Sequence, residues 1–390
     1  MSTTKNTLVK NLYFLLIADF ISSFGSLMTG TAITLIVFQR TGDLLVTALF
    51  TLAVLIPKTI IAPFVGRLKI KMSFRRLFCA GELICGLLLG ILLIYDGMII
   101  IFLTNAVHGI VFFVLESYRA EFLKMSTDDR TIYHYQSISR MVNVAVTVLA
   151  PLVSGAVLAY MANAKLIYLI DVISYVLAAV IISFINGNLF PIAEKNEETL
   201  AKAKFKNIVQ GRAYIYIGST VVMFAGGITS LLTLSYVMVI LKLGEFQYSV
   251  LMSLMALGSF IGSFFALIPI IQQKLRMISG VSTCCMGLLL LSVLLVPEFY
   301  PMCGICLISG ILSSMVMVFY STELYQRYEQ SEIRAASAYL EICTGATTMT
   351  AKPIAGFLEK MIGTIWGLAC MGILFVIITP INCLSKKKIA

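Results

Sequence analysis

Asp19, Lys58, Glu82, Glu116, Arg119, Asp171, Glu341 and Lys352 each stand inside, or at the edge of, a long run of apolar residues. Such side chains bind and release protons, hold cations or meet charged solutes. An ionisable group facing lipid costs about 2.5–3.5 kcal/mol or more, so each of these needs a partner or a water-filled cavity. Asp19 and Lys58 both lie about eight residues from the end of a run, which is about 12 Å along a helix. Their runs are consecutive and antiparallel, so the two can pair. Asp19 reads either as half of a structural ion pair or as a proton or cation site. Glu82 lies close to a basic cluster, GRLKIKMSFRR at 66–76, and suits Arg75 or Arg76 as a partner. Glu116 and Arg119 have the i, i+3 spacing of a local pair and the position of a gate. Asp171 lies near the outer end of its run, with Lys165 nearby. Glu341 and Lys352 are too far apart along one helix to touch, so Lys352 calls for an acid from another span or an anionic solute.

Uncharged candidates accompany them. Asn105 and His108 are one helical turn apart and share a face, and a lone histidine reads as a packing residue or as a cavity residue. Met223, Phe224 and Tyr236, with Gly226-Gly227 between them, suit an apolar binding surface. So do Met317 and Tyr320. The same residues serve equally well as ordinary helix packing.

The elements that carry these residues follow from composition. Of 390 residues, 59% are hydrophobic and 12% charged, against about half and about a quarter in a soluble domain. That balance indicates an integral membrane protein. The apolar runs are continuous rather than alternating, so they are helices and not barrel strands. With about 20 residues needed per crossing, twelve spans are expected, at 11–38, 44–66, 76–95, 97–118, 137–160, 166–186, 213–240, 248–271, 277–296, 300–322, 336–358 and 362–383.

With both termini placed in the cytoplasm, 23 of the 29 lysines and arginines fall on cytoplasmic segments, Lys58 and Lys352 fall within spans, and only Arg40, Lys165, Lys242 and Lys360 fall on outer loops. The positive-inside rule is obeyed strongly. The net charge of +10 therefore reports membrane orientation and gives no argument for nucleic acid. The nine cysteines lie mostly within apolar runs, and Cys303 and Cys306 read as small helix residues rather than a redox pair. Two histidines, His108 and His134, build no metal site with scattered thiols. No phosphate-binding loop is present. No cofactor, metal or enzymatic activity is expected.

The longest polar interval, 187–212, divides six spans from six. A constant offset of 202 positions relates Gly25 to Gly227, Tyr118 to Tyr320, Glu121 to Glu323 and Pro151 to Pro353, as expected of a duplicated unit. The expected architecture is thus an all-α integral membrane protein with twelve transmembrane helices in two pseudo-symmetric six-helix halves. These are residues 1–186 and 213–390, joined by a cytoplasmic linker.

Twelve spans, the repeat and the basic joint resemble the major facilitator superfamily. Its signature at that joint, approximately G-x-L-x-D-R-x-G-R-R, is matched here by Gly66, Leu68, Lys71 and Arg75. Ile70 stands in place of the acid, Ser73 in place of the second glycine and Phe74 in place of the next arginine. The stretches 14–42, 149–158 (LAPLVSGAVL, with Pro151 and Gly155), 169–179, 204–215 and 323–337 resemble the branch containing macrolide-efflux and siderophore-exporter-like proteins. The resemblance implies a monomeric secondary exporter of the plasma membrane, working on an amphipathic small molecule by alternating access. It implies a cavity lined by spans 1, 4, 7 and 10, a structural or gating role for Asp171, and protons as the coupling ion; Glu116 and Glu323, at the inner ends of their spans, are candidates for the inner gate. Asn105 stands where the superfamily often carries an arginine tied to proton coupling. Import or uniport of a metabolite, or a transport-inactive sensor or immunity protein on the same scaffold, are alternative expectations.

Overall fold

The computed structural model describes residues 2–65, 72–126, 129–161, 163–185, 212–265, 268, 274–295, 298–328 and 333–384, the side chains of some excepted. Twelve helices make up these residues, with no strand among them. They are α1 (Ser2–Thr41), α2 (Leu44–Val65), α3 (Phe74–Ile94), α4 (Met98–Ser126), α5 (Asp129–Met161), α6 (Ala164–Ser183), α7 (Ala213–Ser235), α8 (Glu245–Phe265), α9 (Leu275–Ser292), α10 (Phe299–Arg327), α11 (Ile333–Ile362) and α12 (Thr364–Leu384). Helix α7 runs on into a π-turn, Tyr236–Ile240. Several helices outrun their apolar segments. α4 continues to Ser126, α5 starts at Asp129 and α10 ends at Arg327. Apolarity marks the part that meets lipid, whereas backbone hydrogen bonding continues into polar sequence.

Eight helices hold a described stretch long and apolar enough to cross a membrane, and α2, α9 and α12 hold shorter apolar stretches. The remaining one, α11, carries Thr344, Thr347, Thr348, Thr350 and Lys352 along its length. Pro151 lies inside α5 and Pro353 inside α11.

The chain divides into two compact units, one of residues 1–42 and 49–195, the other of residues 43–48 and 196–390. In the first, α1 packs on α5 and α6, and α3 on α4 and α6. Leu12, Leu15, Phe74, Phe78, Leu115 and Tyr135 close its core at the end where α3 begins, termed the near end below. In the second, α8 packs on α10, α9 on α12 and α7 on α11.

Small residues set these crossings. Lipid tails are as apolar as leucine, so helices associate through close contact rather than through expulsion of water. A Cβ on Gly287 of α9 would lie 2.6 Å from the Gly372 carbonyl oxygen of α12, and one on Gly372 would lie 2.8 Å from that of Gly287. Gly258 of α8 and Gly310 of α10 meet the backbone of the opposite helix in the same way. Gly310→Val should therefore push α8 and α10 apart at a cost of about 1–3 kcal/mol. The expected readout is a lower melting temperature of the detergent-purified protein. Gly304→Ala on the same helix, where nothing lies within 4 Å of the added methyl group, should leave it unchanged.

Candidate functional site

The ionisable residues of the first unit converge. Asp19 projects from the middle of α1 and forms an ion pair with Arg119 of α4. The Tyr135 hydroxyl of α5 donates to Asp19 Oδ2 at 3.4 Å. The guanidinium also lies 5.8 Å from the centre of the Phe78 ring on α3, within cation–π range. Four helices thus hold one charge pair. The pair is not sealed, since the two side chains keep 15% and 20% exposure. The sequence offered Lys58 as a partner for Asp19, and the Lys58 side chain lies outside the described residues. Arg119 engages Asp19 instead of serving only its neighbour Glu116, which is exposed at the near end of α4.

Two further acids lie deeper. Glu82 of α3 is 4% exposed and Asp171 of α6 is 1% exposed. Arg75 and Arg76, expected beside Glu82, are exposed at the start of α3. Asp171 Oδ1 accepts a 3.1 Å hydrogen bond from the Ser174 hydroxyl. Above both groups passes the backbone of α1 at Gly25, where a Cβ would collide with Asp171 Oδ1 and Ser174 Oγ. One turn along α6, the Tyr175 hydroxyl joins His108 Nε2 of α4 to the Ser26 hydroxyl of α1, at 2.7 Å from the latter. Ser26 in turn donates to the Ser22 carbonyl oxygen at 2.6 Å. His108 therefore faces α6, while the Asn105 amide donates back to the Ile101 carbonyl oxygen at 3.0 Å. Ser26, Tyr135 and Tyr175 carry no flag in the sequence, and Gly25 only its offset to Gly227, because hydroxyls and glycines are common in any membrane helix. Pro151 and Gly155 are buried in α5, and the Ser154 hydroxyl between them donates to the Met28 carbonyl oxygen at 2.9 Å.

At the far end of this unit, Arg40 pairs with Asp96 in the α3–α4 turn at 2.5 Å and also donates to its carbonyl oxygen at 2.6 Å. The hydrogen bond from Arg40 holds the Asp96 carboxyl below the ordinary carboxylate value of 3.8.

The second unit has its own polar contacts. Glu323 of α10 accepts from the Tyr214 hydroxyl of α7 and from Arg327 Nε, the latter at 2.6 Å. Arg212 covers the Tyr328 ring at 4.1 Å. Glu359 of α11 accepts from Ser235, which also lies 2.9 Å from the Thr364 hydroxyl of α12. Lys360 binds Asp43 at 2.6 Å. Among the apolar candidates, Tyr236 and Tyr320 are buried and Met223, Phe224 and Met317 half-buried. Lys352 is half-buried. Gly66, Lys71 and the Glu341 side chain lie outside the described residues, whereas Arg75 is exposed. Among the described residues no group of three histidines, cysteines or carboxylates could hold a metal ion.

Comparison with known proteins gives this helical bundle a family. The family model for the major facilitator superfamily matches residues 15–345. The chain belongs to that superfamily. A bacterial homologue of the iron transporter ferroportin, in an inward-facing state, has the same fold at a TM-score of 0.73, with 14% identity over 95% of this chain and 98% of that one. The peptide transporter POT matches at 0.73, with 12% identity over 96% and 93%. A bacterial homologue of the lysosomal transporter Spinster matches at 0.71, with 13% identity over 96% of both. No curated protein matches the chain by sequence. The family match makes the chain a transporter of the facilitator type in a lipid bilayer, and the solved structures share its fold.

The Arg40–Asp96 clasp carries a pH dependence of defined sign. An acid whose folded value is depressed contributes stability above its unfolded value, and that stability is lost as pH falls through the folded one. Below the ordinary carboxylate value of 3.8, wild type should lose melting temperature faster than Asp96→Asn, and the two should converge. Thermal melting across acidic pH checks this.

Proposed function

We propose that this transporter is a secondary active exporter of amphipathic organic compounds, such as a drug, a macrolide-like antibiotic, a siderophore or a small peptide. It works as a monomer in the plasma membrane, with both termini cytoplasmic. The halves 1–186 and 213–390, joined by the 187–212 linker, exchange access to a central site by rocking. Protons drive the exchange.

The observation that supports coupling most directly is the Asp19–Arg119 pair. A charged residue within a transmembrane helix is a functional candidate by default. This one is gripped by a guanidinium and a phenol, yet remains partly exposed. Protonation of Asp19 removes the charge that holds Arg119, and a cationic group of the cargo can displace Arg119 from the same carboxylate. Two ligands that compete for one group are linked reciprocally, which is the thermodynamic requirement for exchange. Efflux as the direction, and the amphipathic cargo, rest on the stretches that resemble the macrolide-efflux branch. The solved neighbours include a homologue of an iron transporter and a peptide transporter, and so leave the cargo open.

The test uses cells loaded with ethidium, together with erythromycin susceptibility. Cells making the wild-type chain should lose ethidium faster than cells without it, and a protonophore should abolish the difference. Asp19→Asn should reduce efflux to the background rate at unchanged membrane expression. Full efflux by that variant would remove Asp19 from the mechanism. Faster ethidium uptake by wild-type cells would reverse the direction. Failure of every probe to move, with a partner protein co-purifying, would support a transport-inactive role.

A further inference from the structure

We propose that Lys352 of α11 is the binding point for an acidic group of the transported compound, so that the cargo carries an anionic group on an apolar body. This rests on the reading above and deepens it, because it gives the cargo a charge. Arg40, Arg119, Arg327 and Lys360 each hold a carboxylate. Among the described residues, no ion pair, hydrogen bond or ring contact engages Lys352. An ammonium at membrane depth is costly without a partner. Lys352 stands ten residues before the end of α11 at Ile362, about 15 Å along the helix. That is too far for its stem to carry the charge to the rim.

The neighbours of α11 fix where this side chain points. Ala351 packs on α7, where a Cβ on Gly227 would lie 2.9 Å from the Ala351 Cβ. Gly356 packs on the first turn of α2, where its Cβ would lie 2.5 Å from the Leu45 Cα. Ile354, Phe357 and Met361 are exposed apolar residues and mark the lipid face. At 3.6 residues per turn, Lys352 points roughly 140–200° away from that face, into the arc between Ala351 and Gly356. Two glycines leave space on this side. Gly345, two turns below Lys352 on the same strip of α11, is exposed, and nothing lies within 4 Å of the place its Cβ would take. Gly226 of α7, next to the Gly227 that meets Ala351, is equally bare.

The acids of α11 do not answer this charge. Glu359, on the same strip, is two turns toward the far end, about 10 Å away, and accepts from Ser235. Glu341 is eleven residues below on the same helix, about 16 Å away. The nearby hydroxyls are turned to their own helices. Thr348 donates to the Thr344 carbonyl oxygen at 2.9 Å, and Ser230 of α7 donates to the Gly227 carbonyl oxygen at 2.9 Å. The ammonium is thus left as the donor for an incoming group. A lysine is a compact point charge with three donors, so it reads negative charge rather than the planar outline of one acid. Carboxylate, sulfonate and phosphate all suit it. The half-buried Met223 and Met349 beside it offer adaptable apolar contacts, which favours an organic anion over a bare inorganic one. A phospholipid headgroup shares this chemistry, and the experiment separates the two sources.

Equilibrium dialysis of the full chain in phosphatidylcholine nanodiscs tests the proposal, with 2-naphthoate and its uncharged counterpart 2-naphthamide as probes and empty nanodiscs as the blank. Wild type should bind naphthoate more tightly than naphthamide. Lys352→Met should weaken naphthoate binding about tenfold or more, as loss of a hydrogen bond to a charged group does, and leave naphthamide unchanged. Lys352→Arg should keep the preference. The melting temperature of Lys352→Met should equal or exceed that of wild type, because an unpaired charge is removed. Gly226→Leu, which fills the open side without touching the charge, should weaken both probes at an unchanged melting temperature. Equal naphthoate binding by wild type and Lys352→Met overturns the proposal. So does a Lys352→Met chain that melts lower or fails to fold, which marks a structural partner for the lysine. Loss of naphthoate binding when phosphatidylglycerol is added to the nanodiscs makes a lipid headgroup the occupant and overturns it as well. If ethidium is not exported while naphthoate binds through Lys352, the efflux reading fails and the anion site stands. If ethidium is exported and naphthoate does not bind, only the anion site fails.

Discussion

A charge in hydrocarbon must be held by the protein, because the surroundings supply no partner. The Asp19–Arg119 contact meets that demand with groups from four helices: the acid from α1, the guanidinium from α4, the Tyr135 hydroxyl from α5 and the Phe78 ring from α3. None of these helices can rotate far without exposing an unpaired charge. The pair thus fixes the orientation of α1 and α4 about their own axes, and with it the faces that carry Gly25, Ser26 and His108. The remaining polar contacts of the first unit are placed by this constraint.

The second unit meets the same solvent problem with less charge. Its helices approach through glycines at Gly258, Gly287, Gly310 and Gly372. Dispersion contacts at short range then supply what hydrophobic association supplies in water. Among the described residues, its ion pairs lie at helix ends, as at Glu323 with Arg327 and at Lys360 with Asp43. One unit therefore carries its ionisable groups at membrane depth, while the other carries most of them at its rims. That asymmetry bears on any division of labour between coupling and cargo binding.

The helices were legible in the sequence because lipid imposes continuous apolar runs of known length. Their polar extensions, such as the end of α4 at Ser126, were not, since nothing in an apolar count registers a helix that has left the bilayer. Asp19 was legible as a functional candidate because a carboxylate within such a run stands out. Its partner was not. Arg119 lies on α4, and its contact with Asp19 depends on how α1 and α4 pack. The grouping of Asp171 with Gly25 and Ser174 was equally hidden, because a glycine on one helix and a carboxyl on another are linked only by the crossing of α1 and α6. The offset of 202 positions caught Pro151 and Pro353, which fall inside α5 and α11. It gave no account of why the acids on α3 and α6 belong to the first half alone.

One joint has a mechanical meaning. Helices α11 and α12 are separated by Gly363 alone, at φ 82°. The Gly363 amide caps α11 through the Glu359 carbonyl oxygen at 2.9 Å. Ser235 of α7 touches both Glu359 and Thr364, on the two sides of that joint. A one-residue connection leaves no slack, and the serine pins it to a third helix. Any tilt of α11 is thus transmitted to α12 and α7 as to the arms of a single lever, so a displacement at one rim of this unit is delivered along the whole length of three helices.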